Sequence, residues 1–266
     1  MPAPYEGFRW EVADGVGTLT LDRPDRLNAL TFGVYDELVR LFGEVGSDPA
    51  VRVVVLRGEG RAFCSGGDVN EIIGKLLDRS LEDRLAFTRT TCALVRNIRL
   101  CPQPVVAALH GAVAGAGAVI ALACDLRVAA PSAKISFLFT KVGLTGADMG
   151  AAWLLPRVVG MGRASAILLL GDPVTADEAL RIGLVNRVVP EEDLRAEALA
   201  WARRLADGPE AGVRETKRLL QAELEMDFAA ALEAEARGQA VLLGAPDHRE
   251  YHRAFNEKRK PVYRKD

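Results

Sequence analysis

Apolar and polar residues alternate over Phe8, Trp10 and Val12, the chain turns at Asp14-Gly15, and a second run follows from Val16 to Leu21. That alternation around an Asp-Gly turn predicts a β-hairpin. Beyond Arg23-Pro24 the spacing becomes helical, with Val34, Leu38, Leu41, Phe42 and Val45 on one stripe. Val51–Leu56 is rich in valine and predicts a strand buried on both faces. A more polar helix is expected from about Leu81 to Ile98, a strand over 104–109, a short helix over Val119–Cys124 and a strand over Leu126–Ala130. Thr175-Ala176-Asp177-Glu178 has the form of a capping box opening a helix that Gly183 is placed to end, and Leu184–Val189 reads as a strand. From Pro190 onward Ala, Leu, Glu and Arg dominate, which predicts helices at roughly 191–206, 209–224 and 226–243 before a Lys- and Arg-rich tail from His248. The strand–strand–helix rhythm of the first two-thirds recurs in units too small to close a core singly. An α/β core over residues 1–195 and a helical region over 196–266 are therefore expected.

At 266 residues the chain is long enough for one large domain, or one domain with an appendage. A net charge of -2 offers no electrostatic reason to expect nucleic acid or an anionic membrane as partner. Cys64, Cys92, Cys101 and Cys124 form no CxxC pair and have no metal-like spacing with the three histidines, so a reduced, cytoplasmic chain without a metal is expected. The N-terminus Met1–Glu6 has neither the basic start nor the apolar core of a signal peptide, and Ala112–Cys124 is too short to span a bilayer.

Two short segments carry candidate chemistry. Arg61–Asp68 and Gly111–Val119 are small-residue turns, each placed after an apolar strand-like run. Small residues let a backbone approach a ligand and aim free N–H groups at it. Two such turns side by side could hold one oxygen between two amides, which is what an enzyme needs when negative charge builds on a carbonyl.

With these elements placed, the chain resembles the enoyl-CoA hydratase/isomerase family, the crotonase superfamily. The resemblance rests on Asp22–Leu30, Arg61–Asp68, the Gly111–Asp125 block, Gly143-Leu144, Asp148–Gly160, Gly171-Asp172 with Ala176–Val185, and Phe255–Pro261, all in family order. It implies a spiral of ββα units with C-terminal helices that build a trimer, often paired into a hexamer. It implies an acyl-CoA thioester as substrate, so that coenzyme A arrives with the substrate and no separate cofactor is expected. By position, the oxyanion hole falls to the backbone N–H groups of Gly67 and Ala116, the latter departing from the glycine usual there. Adenosine and pantetheine would lie along Arg26, Leu27, Ser65, Asp68 and Val69, with Phe255 and Lys258, from a neighbouring subunit or the same one, bordering the CoA phosphates.

Family hydratases use two glutamates, and neither is present: Val119 holds one position and Phe139-Thr140-Lys141 surround the other. The chain instead offers Asp148, in a pattern near that of family double-bond isomerases, including those of phenylacetate ring opening, with one extra residue after Gly143-Leu144. Leu144, Met149 and Trp153 are expected to surround its carboxyl and raise its pKa, which suits a proton shuttle. One carboxylate can take a proton from one carbon and return it to another two bonds away, so a double-bond isomerase is the leading expectation. The plainer alternative is that Asp148 simply caps a helix beginning at Met149. A hydratase with an unusual acid/base set, using Glu71, Asp78, Glu82 or Asp83 from a lid, stays open, as do an Asp148 nucleophile of the aryl-CoA dehalogenase kind and a non-catalytic acyl-CoA-binding scaffold. His110 and Trp153 read as core residues, and Cys64 has no base tied to it.

Overall fold

The computed structural model describes residues 5–263; Met1–Pro4 of the N-terminal segment and residues 264–266 of the basic tail lie outside it. The hairpin forms as its alternation requires: β1 (Phe8–Ala13) pairs antiparallel with β2 (Val16–Leu21) around Asp14-Gly15. Helix α1 (Phe32–Glu44) starts where the Thr31 hydroxyl accepts the Val34 N–H, and buries Val34, Tyr35, Leu38, Leu41 and Phe42. The valine-rich run becomes β3 (Val53–Gly58), parallel to β2 on one side and to β4 (Val105–Leu109) on the other, with Val53–Leu56 buried. Between β3 and β4 a π-helical segment, Val69–Gly74, runs into α2 (Lys75–Leu77) and then α3 (Leu81–Leu100), which Ser80 caps.

Next come β5 (Ala112–Ala114), α4 (Ala116–Ala123), β6 (Leu126–Ala129), β7 (Lys134–Ser136), α5 (Ala151–Val159), α6 (Met161–Leu170), β8 (Val174–Thr175), α7 (Ala176–Arg181) and β9 (Arg187–Val188). The main sheet has the order β1-β2-β3-β4-β6-β9, parallel beyond the hairpin, and a smaller sheet has the order β5-β7-β8. The Thr175 hydroxyl accepts the Glu178 N–H at the start of α7, while the Glu178 carboxylate turns to Arg181 instead of closing the box. The strand expected over Leu184–Val189 shrinks to β9 because the Leu184 and Val185 N–H groups are spent on the Ala179 carbonyl, finishing α7.

The C-terminal helices are α8 (Leu194–Ala206), α9 (Glu210–Ala222), α10 (Phe228–Leu243) and α11 (Pro246–Asn256). Leu194, Ala198, Ala202 and Ala206, one position per turn of α8, pack on Val16, Val53, Val55, Val106 and Val128 of the main sheet. The division expected at 195/196 therefore falls inside a helix that belongs to the core. Lys217 anchors α9: its buried Nζ lies 2.7 Å from Asp125 Oδ2 and donates to the carbonyls of Gln103 (2.8 Å) and Ile98 (3.2 Å).

The segment from His248, expected as a tail, is mostly helix α11. Its pattern hides it, since only Glu250 and Ala254 are buried. The Glu250 carboxylate takes Arg253, Arg259 (2.6 Å) and the Val262 N–H (2.9 Å), folding the basic end back on the helix. Helix α10 has none of its residues buried, although it carries Phe228, Leu232, Val241 and Leu243. Among the described residues no helix is long and apolar enough to cross a membrane.

Candidate active site

The first glycine-rich turn is zipped to its surroundings on two sides. On one side the Leu30 N–H donates to Gly66 O (2.8 Å), the Asp68 N–H to Leu30 O (2.9 Å) and the Ser65 N–H to Leu27 O (3.0 Å). Asn28, buried and left-handed at φ 56°, braces this side by donating its amide to the carbonyls of Glu59 (2.9 Å) and Ala62 (2.8 Å) while accepting the Arg23 N–H (2.9 Å). On the other side the Cys64 N–H donates to Ala112 O (3.0 Å) and Cys64 O accepts the Ala114 N–H (2.9 Å), tying the first turn to β5 and hence to the second turn.

The two turns touch where side chains are absent. A Cβ built on Gly66, whose φ is +101°, would lie 3.5 Å from the Ala116 nitrogen and 3.6 Å from Gly115 Cα. A Cβ on Gly117 would lie 2.5 Å from Cys64 O. Among the described residues, neither the Gly67 N–H nor the Ala116 N–H donates to a protein acceptor. Ala116 is the first residue of α4, so its N–H is one of the amides a helix leaves free at its start, on the positive end of the helix dipole. Its helical backbone is one that alanine adopts without strain, so the departure from glycine at this position costs nothing in conformation. At the far end of α4, Arg127 donates to the carbonyls of Cys124 (2.5 Å) and Leu122 (3.4 Å), and Arg99 to that of Ala123 (3.3 Å). Cations at a helix C-terminus complement the same dipole.

Asp148 is half-buried in the loop before α5. Burial raises its carboxyl above the ordinary carboxylate range, and the Met149 N–H, 2.8 Å from Oδ1, pulls it partly back. The alternative of a helix cap fails: α5 starts at Ala151, its N-cap is Gly150, and no side chain caps it. Met149 is buried and held at φ +50°, a conformation that costs a non-glycine residue free energy and is found preferentially at functional sites. Tyr35 of α1 and Cys92 of α3 both feel the charge of Asp148. Two of the expected neighbours do not enclose the carboxyl. Leu144 is exposed, and Trp153, expected in the core, is 37% exposed with the Arg157 guanidinium 3.9 Å over its ring.

The glutamate positions of a hydratase remain without carboxylates in three dimensions. Val119 is fully buried inside α4, Thr140 hydrogen-bonds to Leu168 O, and Lys141 pairs with Asp172 at 2.5 Å. Of the lid carboxylates, Glu71 pairs with Lys75 at 2.5 Å, Asp78 and Glu82 are exposed, and Asp83 accepts the Ser80 hydroxyl (2.8 Å). Asp83 also borders a cleft of about 310 Å³ between α1 and α3, together with Phe32, Tyr35, Leu76 and Phe87.

The residues expected along CoA divide in two. Arg26, Leu27, Ser65 and Val69 gather at the rim of the first turn, Arg26 and Val69 exposed and the Ser65 hydroxyl 3.5 Å from Arg26 O. Asp68 lies there too, but its carboxylate is already used: it accepts the Glu71 and Asn70 N–H groups (3.1 and 3.0 Å), capping the π-helical segment, and faces Arg23 at 3.4 Å. These bonds hold it below the usual carboxylate range, the Glu71 N–H foremost. Phe255 and Lys258 sit at the end of α11, on the C-terminal helices and not on the elements that carry the turns. His110 is a satisfied core histidine, its Nε2 2.9 Å from Gly60 O, and burial pushes the Cys64 thiol up to about 12, which leaves it inert as a nucleophile. Tyr35 escaped the sequence reading, although a polar-tipped ring on the buried stripe of α1 was the available signal.

Residues 11–266 match the model of the family described as enoyl-CoA hydratase/isomerase. The chain belongs to that family. A "probable enoyl-CoA hydratase" of Rhodobacter capsulatus is 40% identical over 97% of this chain and 98% of the relative. The 1,2-epoxyphenylacetyl-CoA isomerase of Escherichia coli K12 is 36% identical over 95% of this chain and 96% of the relative. The crystal structure of a "putative enoyl-CoA hydratase" of Streptomyces coelicolor A3(2) superposes with a TM-score of 0.97 at 53% identity, covering 100% of this chain and 97% of that one. The fold is thus crotonase-type α/β, and the protein is an acyl-CoA enzyme of the hydratase/isomerase family.

Proposed function

We propose that this family member shifts a carbon–carbon double bond within an acyl-CoA thioester, with Asp148 as its single acid/base. The N–H groups of Gly67 and Ala116 would receive the thioester oxygen. Removing a proton next to a thioester puts negative charge on that oxygen, and fixed donors aimed at developing charge are worth about 10²–10³-fold in rate each. Asp148 would take the proton from one carbon and deliver it two bonds away. A carboxyl raised by burial exchanges protons more readily near neutral pH than an ordinary aspartate.

The observation that carries this reading is that the chain offers two acceptor-free turn amides and one carboxyl raised by burial, while neither glutamate position of a hydratase holds a carboxylate. The name of the E. coli relative supports an isomerase. Coenzyme A would run along Arg26, Leu27, Ser65 and Val69, with Asp68 shaping the turn through its cap, and Phe255 and Lys258 reaching the phosphates from a neighbouring subunit or their own. A homotrimer, or a pair of trimers, is supported by α10, an apolar helix with no buried residue. A cytoplasmic site of action is supported by the four free cysteines.

Hydration is the second reading, favoured by the name of the R. capsulatus relative and by Asp83, a lid carboxylate on the cleft. The two readings part on substrate. A 3-enoyl-CoA should gain the absorbance of a conjugated thioester, and crotonyl-CoA should keep it. Loss of that absorbance from crotonyl-CoA, with no change in the 3-enoyl thioester, would replace isomerisation by hydration. A trapped aspartyl ester would mean dehalogenase-like chemistry, and binding without deuterium exchange at the acyl α-carbon would mean a scaffold.

A further inference from the structure

Tyr35 is a buried polar side chain that the reading above leaves without a role. It is 2% exposed and lies little more than one helical turn beyond Leu30, whose backbone is bonded to Gly66 and Asp68. Its ring meets Phe87 of α3 edge-on with centroids 5.5 Å apart, and Phe87 meets Phe32 in the same way at 5.0 Å. The three rings line the cleft of about 310 Å³, whose other walls are Leu76 and Ala86 and the polar Asp36, Arg79, Asp83 and Thr90. The titratable neighbours that act on the phenol are Cys64, in the first turn, and Asp148. Tyr35 is thus joined to the first turn through Leu30 at the start of its helix, and Asp148 is near enough to act on its phenol. Burial above all, then those two groups, keeps the phenol neutral far above its ordinary range, so it is a hydrogen-bond donor at any physiological pH.

Among the described residues the Tyr35 hydroxyl hydrogen-bonds to no protein acceptor. Phenylalanine would supply the same ring packing against Phe87, so what the hydroxyl adds is a hydrogen-bonding group, and no protein partner takes its proton among the described residues. An unmet donor inside a site discriminates between ligands that differ by one oxygen, because the ligand lacking it leaves the donor unpaired.

We propose that Tyr35 is a specificity residue whose hydroxyl donates to an oxygen carried on the acyl chain, so that the site selects acyl-CoA thioesters bearing a hydroxyl or carbonyl oxygen beyond the thioester over hydrocarbon chains of equal length. The proposal rests on the thioester lying at Gly67 and Ala116. Its test is isothermal titration of the full-length wild type and of Tyr35→Phe with two pairs: butyryl-CoA against 4-hydroxybutyryl-CoA, and pentanoyl-CoA against 5-hydroxypentanoyl-CoA. None of these has a double bond to move. For at least one pair the wild type should bind the hydroxylated member about three- to tenfold more tightly, the worth of one neutral hydrogen bond, and in Tyr35→Phe that ratio should fall to about one. Because the readout is a ratio within one protein, general loosening of the site cancels. A wild-type ratio near one for both pairs, or a preference that survives in Tyr35→Phe, overturns the proposal. Deuterium exchange at the α-carbon of butyryl-CoA, followed in the wild type, scores the parent reading separately: its absence removes the enolate, while a preference lost in Tyr35→Phe would still assign the hydroxyl its ligand.

Discussion

Replacing Gly117 by alanine tests whether the contact between the two turns matters to the chemistry. The added Cβ would sit 2.5 Å from Cys64 O, 2.7 Å from Cys64 Cβ and 3.0 Å from Cys64 Sγ. Real Cβ contacts begin near 3.0 Å, so backbone must move by about 0.5 Å. Cys64 O cannot simply retreat, because it accepts the Ala114 N–H at 2.9 Å in the ladder that joins the turns. The relief available is to part α4 from the first turn, which separates Ala116 from Gly67. Overpacking of this kind costs about 1–3 kcal/mol, or roughly 2–12 °C in melting temperature for a chain of this size. Displacements approaching 1 Å in a reacting constellation cost up to about 10²-fold in rate, so half that movement should lower turnover by roughly tenfold or more. Gly162→Ala is the matched control. A Cβ there meets nothing within 4 Å, and alanine in a helix is favoured over glycine by about 0.5–1 kcal/mol, so its melting temperature should hold or rise and its turnover should not change. Melting curves and α-proton exchange on all three proteins decide the matter. Wild-type exchange in Gly117→Ala, or equal losses in both variants, would refute the reasoning that the abutting turns build the anion site.

Asp148→Asn should lower turnover by about 10²–10⁴-fold, the usual worth of a general acid/base, with CoA affinity held; the ratio of rate to binding constant checks it. Burial raises the folded carboxyl of Asp148 above its unfolded value near 4. Its contribution to stability is therefore full below about pH 4 and is lost as pH rises through the folded value. Relative to wild type, Asp148→Asn should gain stability across that window, and denaturant midpoints from pH 4 to 7 that run parallel in the two proteins would contradict the shift. Lys217→Ala leaves Asp125 and two carbonyls without their cation and should cost about 3–5 kcal/mol in urea unfolding; a loss under about 1 kcal/mol would mean that α9 is not held by this pair. Of the four cysteines only Cys92 is exposed, so a thiol reagent should label one site in the native protein and four after denaturation, and acyl-CoA should slow the first because Cys92 lies beside Asp148.

The linear pattern was enough for the hairpin, α1, β3, β4 and the small-residue turns, because each is decided by neighbours along the chain: alternation, helical spacing, a valine run, glycine where a side chain cannot fit. Order along the chain also marked Gly67, Ala116 and Asp148, and the missing glutamates at Val119 and around Thr140 could be read directly. Other features depend on groups that meet only after folding. The Leu184–Val189 run is β-rich, yet two of its amides are consumed in closing α7. Helix α11 shows little apolar stripe because its anchors are Glu250 and the tail it folds back, and α10 is rich in apolar residues yet has none of them buried. The cap that the Asp68 carboxylate makes on Asn70 and Glu71 was not legible in the chain, and Trp153 reads as core in the sequence although its ring lies at the surface under Arg157. Tyr35 became visible only when α1, α3 and the loop before α5 converged. Local periodicity decides which face of an element is buried; which polar group ends beside which, and therefore which carboxyl is desolvated and which hydroxyl is left unmet, is decided by packing between segments more than a hundred residues apart.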